Sequence, residues 1–106
     1  MDLDLIASIK LELRNIPVNG STVLQAEKGK LFQLVNLGHT GPITVWYTDG
    51  ISFVPMVKDT CPTGGSWLDL NLFARNEVYI SVSNDSLSPV NIVFEYATKG
   101  SIREVA

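Results

Sequence analysis

The sequence predicts an all-β protein, an antiparallel β-sandwich of about eight strands in the jelly-roll or immunoglobulin-like style. Segments that alternate apolar and polar residues recur about every 8 to 12 residues. Clusters of Gly, Pro, Asn and Asp separate these segments. A chain of 106 residues with 45% hydrophobic content suits one core but not two. We therefore expect a single domain over residues 1–106.

The first segment, DLDLIASIKLELR, has an unusually long alternating pattern. Its odd positions are all apolar: Leu3, Leu5, Ala7, Ile9, Leu11 and Leu13. A helix would scatter these positions around its circumference, so we favour a strand; a helix is the alternative, because some of the apolar residues also lie near helical spacing. At about 3.3 Å per residue the strand would span roughly 36 Å, more than one short domain needs. We expect residues 1–16 to form an N-terminal strand or arm, with a bulge or bend at Ile6.

The middle of the chain contains the clearest turn signals. Pro17 and Asn19-Gly20 separate the first segment from STVLQAE. EKGK then precedes KLFQLVNL, whose apolar residues occupy both faces, as in a strand buried on two sides. In ITVWYTDGISFVPMV, Asp49-Gly50 separates two β-branched and aromatic runs, which predicts a hairpin with a two-residue turn.

The last part of the chain alternates a long loop with further strands. KDTCPTGGS is interpreted as the loop, and in WLDLNL the alternation predicts that Leu68, Leu70 and Leu72 face inward while Trp67 faces outward. EVYISVS and VNIVFEY follow as strands. Residues 98–106 are expected to form a peripheral strand or a loose end.

Composition argues against several classes of partner. The net charge is -3 and both signs are dispersed, so no basic stripe is available for nucleic acid. No stretch approaches the roughly 20 apolar residues that span a bilayer, and no signal-peptide pattern opens the chain. Cys61 is the single cysteine, which excludes an intrachain disulfide and points to synthesis under reducing conditions in the cytoplasm. We expect no binding to nucleic acid or membranes.

The chain offers few residues for catalysis. Its one histidine, His39, lies in a predicted turn and is interpreted as a solvated loop residue, and no third residue is placed to orient a Cys61–His39 pair. The carboxylates lack the spacing of a calcium loop, although a carboxylate pair that meets only in the fold stays open as an alternative. We predict no catalytic, metal-binding or cofactor-binding residues, and therefore no enzyme.

The alternation places the aromatic side chains of Trp46, Trp67 and Tyr79 outward. Large aromatics exposed on polar faces mark contacts with a partner or with sugar rings, and burial under a loop is the alternative. Together with the N-terminal segment they form the predicted interface, which comprises Leu3, Leu5, Ile6, Ile9, Leu11, Leu13, Trp46, Trp67 and Tyr79.

Two classes of function remain. In the first, the protein is structural and assembles, because an extended segment can add to the sheet edge of a neighbour and its exchange between identical subunits closes an oligomer. In the second, the protein is a carbohydrate-binding or receptor-binding module. The aromatic residues that would stack on sugar rings are Trp46, Tyr47 or Trp67, and the hydrogen-bonding residues are Asp49, Asp69 or Asn71.

The segments KGKLFQLVNLGHTGPITVWYTDG and NEVYISVSNDSLSPVNIVFEY resemble the small β-sandwich virion proteins of tailed bacteriophages. The likeness covers roughly residues 20–97 and is one of strand length, turn type and composition. It implies a head decoration protein or a tail or fibre adaptor that is located in the virion after synthesis in the host cytoplasm. It also implies a symmetric homo-oligomer such as a trimer, bound to a larger capsid or tail protein, with no catalytic residues. A surface glycan would be a further partner of a receptor-binding phage protein.

Overall fold

Two antiparallel sheets pack face to face in the computed structural model, which describes residues 9–101. Sheet A has the order β1-β9-β3-β6, with β7 also paired to β3, and sheet B has the order β2-β8-β4-β5. The strands are β1 (Ile9–Ile16), β2 (Ser21–Leu24), β3 (Lys30–His39), β4 (Ile43–Thr48), β5 (Phe53–Asp59), β6 (Gly65–Trp67), β7 (Leu72–Ala74), β8 (Tyr79–Asn84) and β9 (Val90–Ser101). The predicted all-β sandwich is confirmed.

The pairing of the strands is nested. β4 pairs with its neighbour β5, β3 with β6 and β7, β2 with β8, and β1 with β9. If the short β6 and β7 are counted as one strand, this is an eight-strand ribbon folded back on itself and wound into two sheets, which is the jelly-roll arrangement rather than the immunoglobulin one. Residues 9–101 include no helix of sufficient length and apolar character to span a bilayer.

The core lies between the sheets and is built from alternate residues of the longer strands. Each of its side chains is at most 2% exposed. Sheet A contributes Ile16, Phe32, Leu34, Leu37, Ala74, Val90, Ile92 and Phe94, and sheet B contributes Leu24, Ile43, Val45, Ile80 and Val82. This period of two is what a strand requires when one of its faces is buried.

The ends of the chain differ from the sequence prediction in part. The structure confirms a strand from Ile9 to Ile16, whereas Leu3, Leu5 and Ile6 lie outside the described residues, so the predicted bulge is not tested. The last strand is longer than VNIVFEY, because β9 continues to Ser101 and its end pairs with the start of β3.

The predicted hairpin is present, because β4 pairs antiparallel with β5, but the prediction of a two-residue turn is wrong. The last pair of β4 and β5 is Thr48 with Phe53, so four residues form the loop. The Asp49 carboxylate accepts hydrogen bonds from the backbone N–H groups of Ser52, at 2.8 Å, and of Ile51, at 2.9 Å. The hydrogen bond from Ser52, and after it the one from Ile51, lowers the pKa of Asp49 below its ordinary value. The side chain thus supplies the acceptors that the wider loop needs.

The segment WLDLNL is not one strand. Asp69 and Asn71 have φ angles of 56° and 50°, and the left-handed backbone at these residues ends the alternation between β6 and β7. Trp67 therefore lies opposite the buried Leu37 and faces inward, while Leu68 is exposed. The predicted orientation of these two side chains is reversed, because the strand is broken one residue after Leu68.

Stability should depend on the buried face of β3. Replacing the buried Leu37 by alanine removes buried methyl groups and leaves a cavity, so Leu37→Ala should lower the free energy of unfolding by about 2–5 kcal/mol in urea titrations. Leu87→Ala is the matched control, because Leu87 is 95% exposed and its truncation should change the value by less than about 0.5 kcal/mol. Equal effects of the two substitutions would contradict this placement of the core.

Candidate interaction surfaces

Strand β1 is oriented with its charged residues toward the inside of the sandwich. Glu12 and Arg14 lie opposite the buried Phe94 and Ile92 of β9, so they share the inner face of sheet A. The apolar residues at the odd positions therefore point to the outer face. An edge strand with this orientation exposes its more hydrophobic side.

Arg14 holds this orientation. Its guanidinium lies 5.2 Å from the centre of the Phe94 ring, and its Nε donates to the carboxylate of Glu12 at 2.6 Å. Its Nη1 donates to Thr22 Oγ1 at 2.8 Å and to the carbonyl oxygen of Val23 at 2.7 Å. Thr22 and Val23 belong to β2 of the other sheet, so one side chain links the two sheets along this edge of the sandwich.

The outer face of sheet A carries a group of exposed apolar residues, which we call the leucine face. Leu11, Leu13 and Leu68 are 69%, 71% and 74% exposed, and Val93 lies between them. Gly38, opposite Val93 in the sheet, leaves a trough there, since a Cβ at this position would lie 3.3 Å from a methyl group of Val93. The trough has a volume of about 350 Å³.

The outer strands of the two sheets differ in how well they are protected against pairing with another chain. β2 has four residues and β6 and β7 have three each, whereas β1 has eight residues that pair with β9 without a register shift. β5 is also long, but it contains Pro55 and Lys58 and pairs with β4 across a bulge. Proline, lysine and bulges are the usual means of blocking an edge. β1 carries Lys10 and the inward-facing charges of Glu12 and Arg14, which also counter pairing, but it contains neither a proline nor a bulge. It is therefore the longest regular edge strand within residues 9–101.

The outer face of sheet B has a different character. A groove of about 350 Å³ lies beside Trp46 and is lined by Ser21, Phe53, Ser81 and Ser83; we call it the serine groove. Trp46 Nε1 donates a hydrogen bond to Ser83 Oγ at 2.9 Å, and Phe53 meets the indole edge-on with a centroid distance of 6.2 Å. No titratable side chain lines the groove.

The three aromatic residues of the predicted interface occupy different places. Trp46 is on the outer face of sheet B, as the alternation predicts, and is partly exposed. Tyr79 lies beside Thr48 in the same sheet but is partly buried and packs against the core. Trp67 is on the inner face of sheet A and packs against the core and the His39 ring. The structure does not bring the three aromatics into one patch.

His39 is buried, so its interpretation as a solvated loop residue is wrong. It is the last residue of β3, and its Nδ1 lies 2.9 Å from the carbonyl oxygen of Gly41. The ring packs on Trp67 with a centroid distance of 4.8 Å. Nε2 lies 3.4 Å from Asp59 Oδ2 without hydrogen-bond geometry. Because Asp59 belongs to β5, His39 contacts the opposite sheet.

Cys61 does not join His39 in a reactive pair in the described structure. The thiol is exposed in the loop after β5, with Sγ 3.4 Å from Thr63 Oγ1, and hydrogen bonding from Thr63 lowers its pKa. Within residues 9–101, no group of three or more His, Cys, Asp or Glu residues is placed to hold a metal ion.

Sequence reasoning missed the serine groove and Leu68. The lining residues of the groove come from four strands and from the β1–β2 turn, and serine gives no hydrophobic pattern that would group them. The alternation of Ser81 and Ser83 with Ile80 and Val82 was the one available signal, because it places both hydroxyls on the same face as Trp46.

No protein-family model matches this chain, and none of the curated proteins matches it. Among solved structures, a similar chain comes from Bacillus endospore appendages, which are described as forming a novel family of disulfide-linked pili. The two chains are 13% identical and superpose with a TM-score of 0.45, over 89% of this chain and 88% of that chain. This is a distant all-β match, and it supports no statement about function or about a relationship to phage proteins.

Asn84 positions the end of the serine groove and should contribute strongly to stability. Its buried amide nitrogen donates to the carbonyl oxygens of Ile16, Pro17 and Ser88, at 3.0, 3.2 and 2.8 Å. Asn84→Ala leaves these carbonyls without that donor, so the free energy of unfolding should fall by about 1–3 kcal/mol in chemical denaturation. Asn15→Ala is the control, since exposed Asn15 makes a single side-chain hydrogen bond, to exposed Asn91. A loss no larger than that of the control would contradict the role of Asn84.

Proposed function

We propose that this protein is a non-enzymatic structural subunit that assembles with copies of itself through β1 and the leucine face. The observation that supports the proposal is the orientation of β1, which exposes Leu11 and Leu13 on a long edge strand without a proline or a bulge. A second copy that pairs along β1 would satisfy the backbone groups that no strand within residues 9–101 pairs, and it would cover the leucines as well.

The free energy available from burying the leucine face shows that a stable contact needs further interactions. Full burial of a leucine side chain contributes about 1.5–3 kcal/mol, so three leucines provide roughly 5–9 kcal/mol. Association costs an estimated 4–15 kcal/mol in lost translational and rotational freedom. The leucine face alone meets the lower part of that range. Main-chain hydrogen bonds at β1 and further apolar residues are needed for a stable oligomer.

The residues that precede β1 are the natural source of further contact. Leu3 and Leu5 continue the alternation of Ile9, Leu11 and Leu13 in the sequence. They lie outside the described residues, and we propose that they extend the same contact along a neighbouring copy as an intersubunit arm. Identical subunits that exchange or share such an arm form closed symmetric oligomers at low cost, and a trimer is one of them.

The absence of enzymatic activity is part of the proposal. His39 is enclosed between Trp67 and Asp59, and Cys61 is on an exposed loop with Thr63 as its partner. Neither residue lines the serine groove or the trough of the leucine face. We therefore assign the surfaces of this molecule to binding and not to a reaction.

A narrower proposal places the assembly in a bacteriophage virion, as a capsid decoration or tail or fibre protein bound to a larger capsid or tail protein. Its support is the resemblance of residues 20–97 to such proteins. Synthesis would take place in the host cytoplasm. Immunogold labelling of purified phage particles with an antibody against this protein tests it, and labelled heads or tails are expected. Intact particles that contain all other virion proteins but not this chain would contradict it.

The assembly proposal predicts a discrete oligomer that depends on two leucines. Size-exclusion chromatography with light scattering at micromolar concentration should give a single mass that is a small multiple of 11.6 kDa. Leu11→Ser combined with Leu13→Ser should shift this mass to the monomer, because a loss of about 3–6 kcal/mol of burial raises the dissociation constant at least about a hundredfold.

The matched control for this experiment is Leu87→Ser, since Leu87 is 95% exposed in the loop between β8 and β9 and lies outside the leucine face. It should leave the oligomer unchanged. Circular dichroism and thermal unfolding check that every variant is folded. A monomeric wild-type protein, or a double variant that keeps the wild-type mass, would refute assembly through this face.

A further inference from the structure

We propose that the serine groove is a binding site for a neutral saccharide. This proposal is independent of self-assembly, because the groove lies on the outer face of sheet B, whereas the leucine face lies on the outer face of sheet A. The ligand is inferred from three properties of the groove: one aromatic wall, a floor of hydroxyl groups, and the absence of titratable side chains.

The aromatic wall is held in place by hydrogen bonding and packing. Trp46 Nε1 donates to Ser83 Oγ, and Ser83 Oγ donates in turn to Asp85 Oδ1 at 3.2 Å. Asp85 also accepts a hydrogen bond from Thr44 Oγ1 at 2.5 Å, so the carboxylate is satisfied by its neighbours. The Phe53 ring meets the indole at 87° and is half exposed. The indole is therefore oriented before any ligand arrives, which reduces the entropic cost of binding.

A pyranose ring matches this wall chemically. Its C–H groups form an apolar patch that packs on an aromatic face, while its hydroxyls point outward and require hydrogen-bond partners. Ser21 and Ser81 supply hydroxyls that line the groove beside the indole. Each hydroxyl can both donate and accept, as sugar hydroxyls do.

The charge and size of the groove narrow the ligand class. A phosphate or carboxylate ligand would need a cationic partner, and the groove has no lysine, arginine or histidine in its lining. An apolar peptide would leave the serine hydroxyls without partners at a cost of about 1–3 kcal/mol for each buried group. The volume of about 350 Å³ is at the lower end of the range for small-molecule sites, which runs from about 300 to 1,000 Å³. One or two neutral sugar rings meet all three conditions.

The site differs from the one that the sequence favours. Of the residues expected to stack on sugars, Trp46 lines the groove, whereas Trp67 packs against His39 and the Tyr47 hydroxyl accepts a hydrogen bond from the backbone of Phe73. The expected hydrogen-bonding residues Asp49, Asp69 and Asn71 do not line it. Serines replace them, which makes the site neutral.

The test uses an array of neutral oligosaccharides in gluco, galacto, manno and N-acetylated configurations, with sialylated and sulfated glycans beside them. The full chain should bind at least one neutral glycan, and titration of that glycan should shift one tryptophan indole N–H signal in the NMR spectrum. Trp46→Ala should weaken binding more than tenfold, and Ser81→Ala should weaken it severalfold. Trp46→Phe should retain part of the affinity, since the ring is kept while the hydrogen bond to Ser83 is lost.

The matched control is Trp67→Phe, which changes the other tryptophan, located on the inner face of sheet A, and should leave glycan affinity unchanged. Circular dichroism and thermal unfolding establish that each variant is folded, and light scattering of the same samples reports the oligomeric state. Four results would each overturn the proposal: no retention of any neutral glycan at millimolar concentration, retention of acidic glycans alone, unchanged affinity of a folded Trp46→Ala, or a change of oligomeric state in Trp46→Ala without glycan binding by the wild type. The last of these would assign the groove to a subunit contact.

Discussion

The register of β1 against β9 is the constraint on which the surface of this protein depends. The side chains of a strand alternate between faces, so a slip of one residue would turn Leu11 and Leu13 inward and Arg14 outward. Arg14 favours the observed register, because it contacts the Phe94 ring and donates hydrogen bonds to the first strand of the other sheet. Asn84 fixes the far end of β1 through the carbonyl oxygens of Ile16 and Pro17. Together they hold the leucines in solvent.

This register is not one that burial of apolar surface would choose in an isolated subunit. Two leucines turned inward would gain about 3–6 kcal/mol if they became fully buried. In the observed register Arg14 instead contributes a cation–π contact of about 0.5–2 kcal/mol and hydrogen bonds from its charged guanidinium of about 1.5–3 kcal/mol each. The free energy from burying the two leucines and the free energy from the contacts of Arg14 are similar, so neither register is strongly favoured within one subunit. A second copy that covers the leucines would favour the observed register decisively, which is why we connect the orientation of β1 with assembly.

The sequence determines the strands of this fold more clearly than it determines their faces. Alternation identifies β1, β4, β8 and β9, and in VNIVFEY it places Val90, Ile92 and Phe94 on one face, which is the buried face of β9. At β1 the pattern distinguishes two faces, but it cannot tell which one is inside, since this depends on the contacts of Arg14 in three dimensions. At Trp67 the prediction fails for a local reason: Asp69 and Asn71 adopt left-handed backbone conformations that alternation does not reveal. The serine groove could not be predicted, because its walls come from distant segments and its hydroxyls are common on any solvated strand.

The two functions that we propose, self-assembly and saccharide binding, use different outer faces of the sandwich. The leucine face of sheet A is mainly apolar, with Asn36 and Glu95 beside its trough, and it adjoins the long edge strand β1. The serine groove of sheet B is neutral, polar and partly aromatic. Because the two faces are on opposite sides of the sandwich, a neighbour that covers the leucine face would not cover Trp46. A shallow site with one aromatic wall binds a single sugar weakly. Assembly through the opposite face would present several such grooves at once, and linked sites bind a repeating glycan far more tightly than one site does when the spacing permits simultaneous contact. The nested jelly-roll pairing allows both surfaces in one small domain, since the sheets enclose a single core and each sheet keeps an outer face that no strand within residues 9–101 covers.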